Sequence, residues 1–194
     1  MFELDTLTKA KLLDVVVLSQ KNRQPDENPG AKLSFEMDMS NHALTMFDGY
    51  LKGFLFEKRE GESPEGQASL DGVEAVSDLP HLTGIGAKIG SLHWTHDLTG
   101  YILTIDMGLG GASNLEIGGC KLSGWQIHPK EGGTVQIKFN AESSDVSEGA
   151  FGKLAKLKSC DTSILLAPPE IDPQETIEGD EPPGKSRRRR GRHG

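Results

Sequence analysis

Apolar and polar residues alternate along much of this chain. In KLSFEMDMS (32–40), Leu33, Phe35, Met37 and Met39 fall on one side and Lys32, Ser34, Glu36 and Asp38 on the other. That is the signature of a strand buried on one face. The same period returns in YILTIDMG (101–108) with Tyr101, Leu103, Ile105 and Met107, and in TVQIKFNAE (134–142) with Val135, Ile137, Phe139 and Ala141. GWQIHP (124–129) puts Trp125 and Ile127 on one side, after a separate stretch NLEIGGCKL (114–122). KLLDVVVLS (11–19) is rich in β-branched residues and reads as a strand interrupted on one face by Asp14. TSILLAPP (162–169) reads as a last strand closed by proline. The glycine-bearing stretches GLGGAS (108–113) and KEGG (130–133) are the expected turns between them.

The period changes twice. Leu44, Phe47, Leu51, Phe54 and Leu55 are spaced for one helical face, predicting a helix over about 41–57 with Ser40 or Asn41 as its cap. Gly49 and Gly53 weaken it by roughly 1 kcal/mol each relative to alanine. EGAFGKLAKLK (148–158) repeats the helical spacing with Phe151, Leu154 and Leu157. Residues 20–30 and about 59–80 are polar and unpatterned, as loops are. The predicted architecture is mainly β (α+β). One domain over 1–167 forms an antiparallel β-sandwich or barrel with one or two packed helices. Residues 168–194 are expected to form a disordered tail, acidic first and arginine-rich at the end, because they hold too little apolar surface to fold.

Charge divides along the same boundary. Of 29 acidic and 21 basic residues, six of each lie from Pro168 onward, so the net charge of −8 belongs to residues 1–167. An acidic body disfavours a nucleic-acid groove over most of its surface. No apolar run is long enough to span a membrane, and the N-terminus has Glu3 and Asp5 before its apolar stretch, unlike a secretory leader. Two cysteines, Cys120 and Cys160, make neither a disulfide framework nor a zinc set and fit a reducing cytoplasm.

Candidate chemistry is sparse. GDEPPGKS (179–186) matches the spacing of a phosphate-binding loop, with Lys185 as the gripping residue. Such a loop needs a strand before it and a helix after it, and neither is predicted. Two prolines also remove amide donors, and Asp180 and Glu181 would repel a phosphate. GLGGAS and GIGAKIG (84–90) are better read as turns. His93 and His96 would point to opposite faces of a strand. Together with His128, Cys120 and Cys160 they make a metal site only if an unseen fold gathers them. Carboxylates such as Asp14 and Asp106 form a catalytic pair only if the fold brings them together. The expectation is therefore no catalytic residue, no cofactor and no metal. Trp94, Trp125 and Tyr101 could stack bases on an open sheet face, although alternating aromatics more often fill a core. The clearest functional signal is the tail: Lys185, Arg187, Arg188, Arg189, Arg190 and Arg192 can contact a phosphate backbone without reading sequence, and a merely solvated charge run is the competing reading.

The stretch LTGYILTIDMGLGGASNLEIGGCKLSGWQIHPKEGGTVQIKFNAE, with GKLAKL after it and AKLSFEMDMSNHALTMFDGYLKGFLF before it, resembles uncharacterised proteins encoded by tailed bacteriophages and prophages of Gram-negative bacteria. The likeness covers roughly residues 8–167 and carries no active-site motif. It implies an origin among phage DNA replication and recombination genes, and a place in the host cytoplasm. The favoured expectation is a non-enzymatic phage accessory protein that binds a phage or host protein partner, with nucleic acid contacted by the tail, no membrane contact, and room for a homo-oligomer. Two alternatives compete with it: an inhibitor of a host defence system or nuclease, and a structural component of the virion tail.

Overall fold

Most of the inward-facing strand positions named above end up on the inside of one closed sheet. Met107 falls past the end of its strand and is half-buried, and Phe54 of the predicted helical face is exposed. The computed structural model describes residues 2–18, 24, 27–59, 77–108 and 113–169. In chain order these form β1 (Leu4–Leu18), β2 (Gly30–Ser40), a 3-10 helix (Asn41–Met46), α1 (Leu51–Leu55), β3 (Phe56–Glu57), β4 (His81–Leu82), α2 (Gly86–Ile89), β5 (Leu92–Trp94), β6 (Leu98–Ile105), β7 (Leu115–Lys130), β8 (Thr134–Ser143), α3 (Glu148–Leu157) and β9 (Asp161–Ala167). Strands pair in the order β7, β6, β9, β1, β2, β8, and β8 pairs again with β7. All these pairings are antiparallel, so six strands close into a barrel. Of the two predicted architectures, sandwich or barrel, the barrel is the one formed.

Alternation explains the core. Leu33, Phe35 and Met37 of β2 face Ala141, Phe139 and Ile137 of β8 in register, and all six are buried. Trp125 fills the interior: its ring stacks on Phe139 with centroids 4.9 Å apart and meets Phe2 at a tilt with centroids 4.8 Å apart. Tyr101, Leu103 and Ile105 of β6 and Ile164 and Leu166 of β9 fill the opposite wall. The barrel is thus packed with side chains, as expected for so few strands.

Closure depends on β7. The sequence suggests two separate stretches, 114–122 and 124–129, but they join into one sixteen-residue strand. Its first part pairs with β6, and its second part pairs with β8 and, beyond the start of β6, with β5. Gly124, at φ 65°, sits where the register with β8 shifts between Ser123 and Gln126. This bulge bends the strand from one neighbour to the other, and a Cβ there would lie 2.5 Å from the amide nitrogen of Asn140.

The helix predicted over 41–57 is broken. A 3-10 turn at 41–46 is followed by a turn and a five-residue α-helix, after which the chain is extended at Phe56 and Glu57. Asp48 supplies the physical reason: its carboxylate accepts from the amide of Tyr50 at 2.8 Å and offers the backbone a turn in place of helix, beside the poor helix former Gly49. Ser40 does cap the first piece, accepting from the amide of His42. The second predicted helix is present as α3. Ser147 caps it by accepting from the amide of Ala150, and Leu154 is buried. Asp14 marks an irregularity in β1 at the predicted interruption, with register shifting between Leu12 and Asp14. The expected loop at 59–80 lies outside the described residues for 60–76, as does the tail from 170 on. No helix among the described residues is long and apolar enough to cross a membrane.

Candidate functional site

On the outer surface, charge meets charge. Lys32 and Glu142 are opposite each other across β2 and β8 and lie 3.0 Å apart; Glu36 and Lys138 repeat the arrangement at 2.8 Å. Lys130 reaches Asp38 at 2.7 Å, Lys121 reaches Asp97 at 2.7 Å, and Lys158 reaches Asp14 at 2.6 Å. Pairs this exposed add little stability. They do leave these lysines with a carboxylate already in place, which weakens this wall as a phosphate track.

The wall opens at β5. Among the described residues β5 hydrogen-bonds only to β7, with Leu92 opposite Ile127 and Trp94 opposite Trp125. β9 covers β6 only from Ile102 to Ile105. The other edge of β5 and of Leu98–Tyr101 therefore has no strand beside it among the described residues. Next to this edge is a notch of about 160 Å³ lined by Phe2, Met46, Phe47, Trp94, His96, Leu98 and Trp125. The Phe47 ring meets Trp125 edge-on at 5.3 Å and Trp94 at 6.1 Å. Phe47, Trp94 and Leu98 are half-buried and His96 is exposed, so the notch has an apolar floor and an open rim. An unpaired edge beside an apolar hole is the equipment of strand addition: main-chain bonds to the edge, one side chain in the hole.

A second cluster closes the same end of the fold on itself. Asn41 is fully buried; its side-chain amide donates to the carbonyl of Leu79 at 2.8 Å, and its oxygen accepts from the Ser77 hydroxyl at 2.5 Å. The Lys52 ammonium is bonded to Asp78 and donates to Nδ1 of His42 at 3.0 Å, which requires that nitrogen to be unprotonated. The hydrogen bond from Lys52 holds the Asp78 carboxyl below its ordinary value of 3.8. A depressed carboxyl stabilises the fold fully above that ordinary value, and the contribution is lost as pH falls through the lower folded value. The urea midpoint is accordingly expected to drop below pH 4, and Asp78→Asn to make that acid limb shallower.

The other sequence-predicted residues are scattered. His93 is exposed and pairs with Gln126 across the strands, and His96 is at the notch rim. His128 donates from Nδ1 to the carbonyl of Gly90 at 3.0 Å. Cys120 is buried with its thiol on the carbonyl of Ile117, while Cys160 is exposed. Among the described residues no three histidines, cysteines or carboxylates are grouped to hold a metal ion. Asp14 is held by Lys158, and Asp106 accepts from the amide of Gly108. Trp125 and Tyr101 are 1 % exposed and face inward, so of the three aromatics considered for stacking only Trp94 reaches the surface. Lys185, Arg187, Arg188, Arg189, Arg190 and Arg192, with the loop-like motif at 179–186, lie outside the described residues. The sequence does not disclose the notch, because Phe2, Phe47, Leu98 and Trp125 come from four separate stretches of the chain. Nor does it disclose the Asn41–Ser77 contact, whose partners are 36 residues apart.

Burial pushes the Cys120 thiol up to about 11. The thiolate is the reactive form, so a thiol reagent is expected to modify Cys160 alone in the folded protein and both cysteines in urea; two reacting thiols in native buffer would contradict this burial.

Compared with protein-family models, curated proteins and solved structures, the chain gives no match.

Proposed function

We propose that this chain is a non-enzymatic accessory binding protein of tailed bacteriophages, working beside phage DNA replication and recombination in the host cytoplasm. In this reading an extended segment of a partner protein adds to the edge formed by β5 and the start of β6, with one apolar side chain entering the notch between Trp94 and Leu98. The observation that carries it is the open edge beside an apolar notch. The phage setting rests on the sequence resemblance alone. Nucleic-acid contact falls to Lys185, Arg187, Arg188, Arg189, Arg190 and Arg192, because several lysines of the barrel wall are already ion-paired.

Two measurements test the two halves of this reading. In a mobility-shift titration with single- and double-stranded DNA, the full chain is expected to bind both, more weakly at 200 mM than at 50 mM salt, as counterion release requires. A chain ending at Gly179 is expected to lose that binding; undiminished binding removes the role of the tail, and no binding by the full chain removes the nucleic-acid reading. For the partner, a protein captured from phage-infected cells by the wild-type chain is expected to be lost with Trp94→Lys. Capture that Trp94→Lys leaves intact overturns the edge as the binding surface.

A further inference from the structure

A second apolar surface, sharing no residue with the notch, is built where α2 packs against α1. An open groove of about 710 Å³ lies there, with Gly53 and Phe54 on one side and Gly84, Ile85, Lys88 and Ile89 on the other. Phe54 is 46 % exposed, Ile85 52 %, and Tyr50, one helical turn before Phe54, 87 %. Aromatic and aliphatic surface gathered in this way marks an interaction site. The groove is also preformed. The Thr83 hydroxyl donates to the carbonyl of Phe54 at 2.9 Å and accepts from the amide of Gly86 at 2.9 Å. The Thr83 amide donates to the carbonyl of Leu55 at 3.0 Å. A Cβ on Gly86 would collide with that same carbonyl, so glycine is what lets the two helices come this close. At Gly53 and Gly84, by contrast, a Cβ would meet nothing within 4 Å, which leaves room over bare backbone for another molecule's side chains. A surface fixed in advance spends little binding energy on its own ordering.

Charge indicates what fits. The chain carries −8 overall, yet residues 50–59 and 81–91 hold four bases, Lys52, Lys58, Arg59 and Lys88, against one acid, Glu57. Lys52 is bonded to Asp78, and Arg59 lies 4.0 Å from Glu131. Lys88 lines the groove and has no carboxylate partner among the described residues, unlike the paired lysines of the barrel wall. A free ammonium beside exposed apolar side chains complements a segment that carries both apolar residues and carboxylates. An anionic membrane fits less well, because the groove is concave and the acidic chain around it would be repelled.

We propose that the groove between α1 and α2 binds an acidic amphipathic segment of a protein partner, with its apolar side chains over Gly53 and Gly84 against Phe54 and Ile85, and its carboxylates at Lys88. This site stands apart from the β5–β6 edge, so neither depends on the other. A random peptide library selected on the immobilised full-length chain is expected to yield acidic sequences with several large apolar residues. Synthetic versions are expected to bind more tightly at low than at physiological salt. Phe54→Ser and Lys88→Glu are each expected to weaken them about tenfold, as loss of a central contact does. Trp94→Lys is expected to leave them unchanged. Phe54 and Lys88 are exposed, so thermal melts of both variants should match wild type; if Phe54→Ser unfolds, Lys88→Glu alone decides. A selection that returns nothing, or only neutral or basic sequences, overturns the proposal, as does equal affinity for wild type and Lys88→Glu. Binding to phosphatidylserine vesicles that both variants abolish, with no peptide selected, would overturn it in favour of a membrane. A peptide of residues 60–76 that binds as tightly as the selected ones would overturn it too, making the occupant a segment of this chain.

Discussion

Replacing Trp125 with alanine is expected to destabilise the barrel by about 3–5 kcal/mol, the range for removing a large buried aromatic side chain. The indole is 1 % exposed, stacks on Phe139 at an interplanar angle of 22° and touches Phe2 and Phe47. Those three rings come from β8, the start of the chain and the turn before α1, so a cavity at Trp125 has walls on several elements that cannot all move inward together. For a domain of this length the loss corresponds to a fall in Tm of roughly 6–20 °C. Thermal melts of Trp125→Ala and Trp94→Ala check it. Trp94 is half-buried at the notch rim, so its loss should cost clearly less, and equal costs would contradict the packing described here.

The second large effect is expected at Gly133. The β7–β8 turn passes through Gly132 at φ 89° and Gly133 at φ 72°, a region that side chains enter at a cost of about 1–2 kcal/mol. A Cβ on Gly132 would meet nothing within 4 Å, whereas one on Gly133 would lie 2.6 Å from the Cβ of Ser77. Gly132→Ala should therefore show the backbone cost alone. Gly133→Ala should add about 1–3 kcal/mol of overpacking. Ser77 cannot easily retreat, because its hydroxyl is bonded to the side chain of buried Asn41, whose backbone N–H donates to the carbonyl of Gly133 at 2.9 Å. Urea unfolding of the two variants measures the difference, and matching midpoints would show that Ser77 yields without cost.

The Gly133 contact also shows where sequence reading stops. KEGG is legible as a turn because glycines follow a strand and precede another with the same alternation. That its second glycine must accommodate Ser77 is not legible, since 56 residues separate them. The same holds for the helix expected over 41–57. Its apolar spacing is correct for burial, and Leu44 and Leu55 are indeed buried. Spacing does not reveal that Asp48 binds its own backbone and turns the chain between them.

The sequence by itself determined which side of each strand is inside, because a period of two leaves no other way to bury Leu33, Phe35, Ile137 or Phe139. It also determined an α+β domain rich in antiparallel strands. Tertiary structure decided that the sheet closes rather than folding into two layers, since closure rests on one bent strand, β7, pairing with three others. It decided as well that Trp94 would stand at a surface notch while Trp125 went into the core. Local pattern specifies a face, but an edge and a hole exist only after strands distant in the chain have been laid side by side.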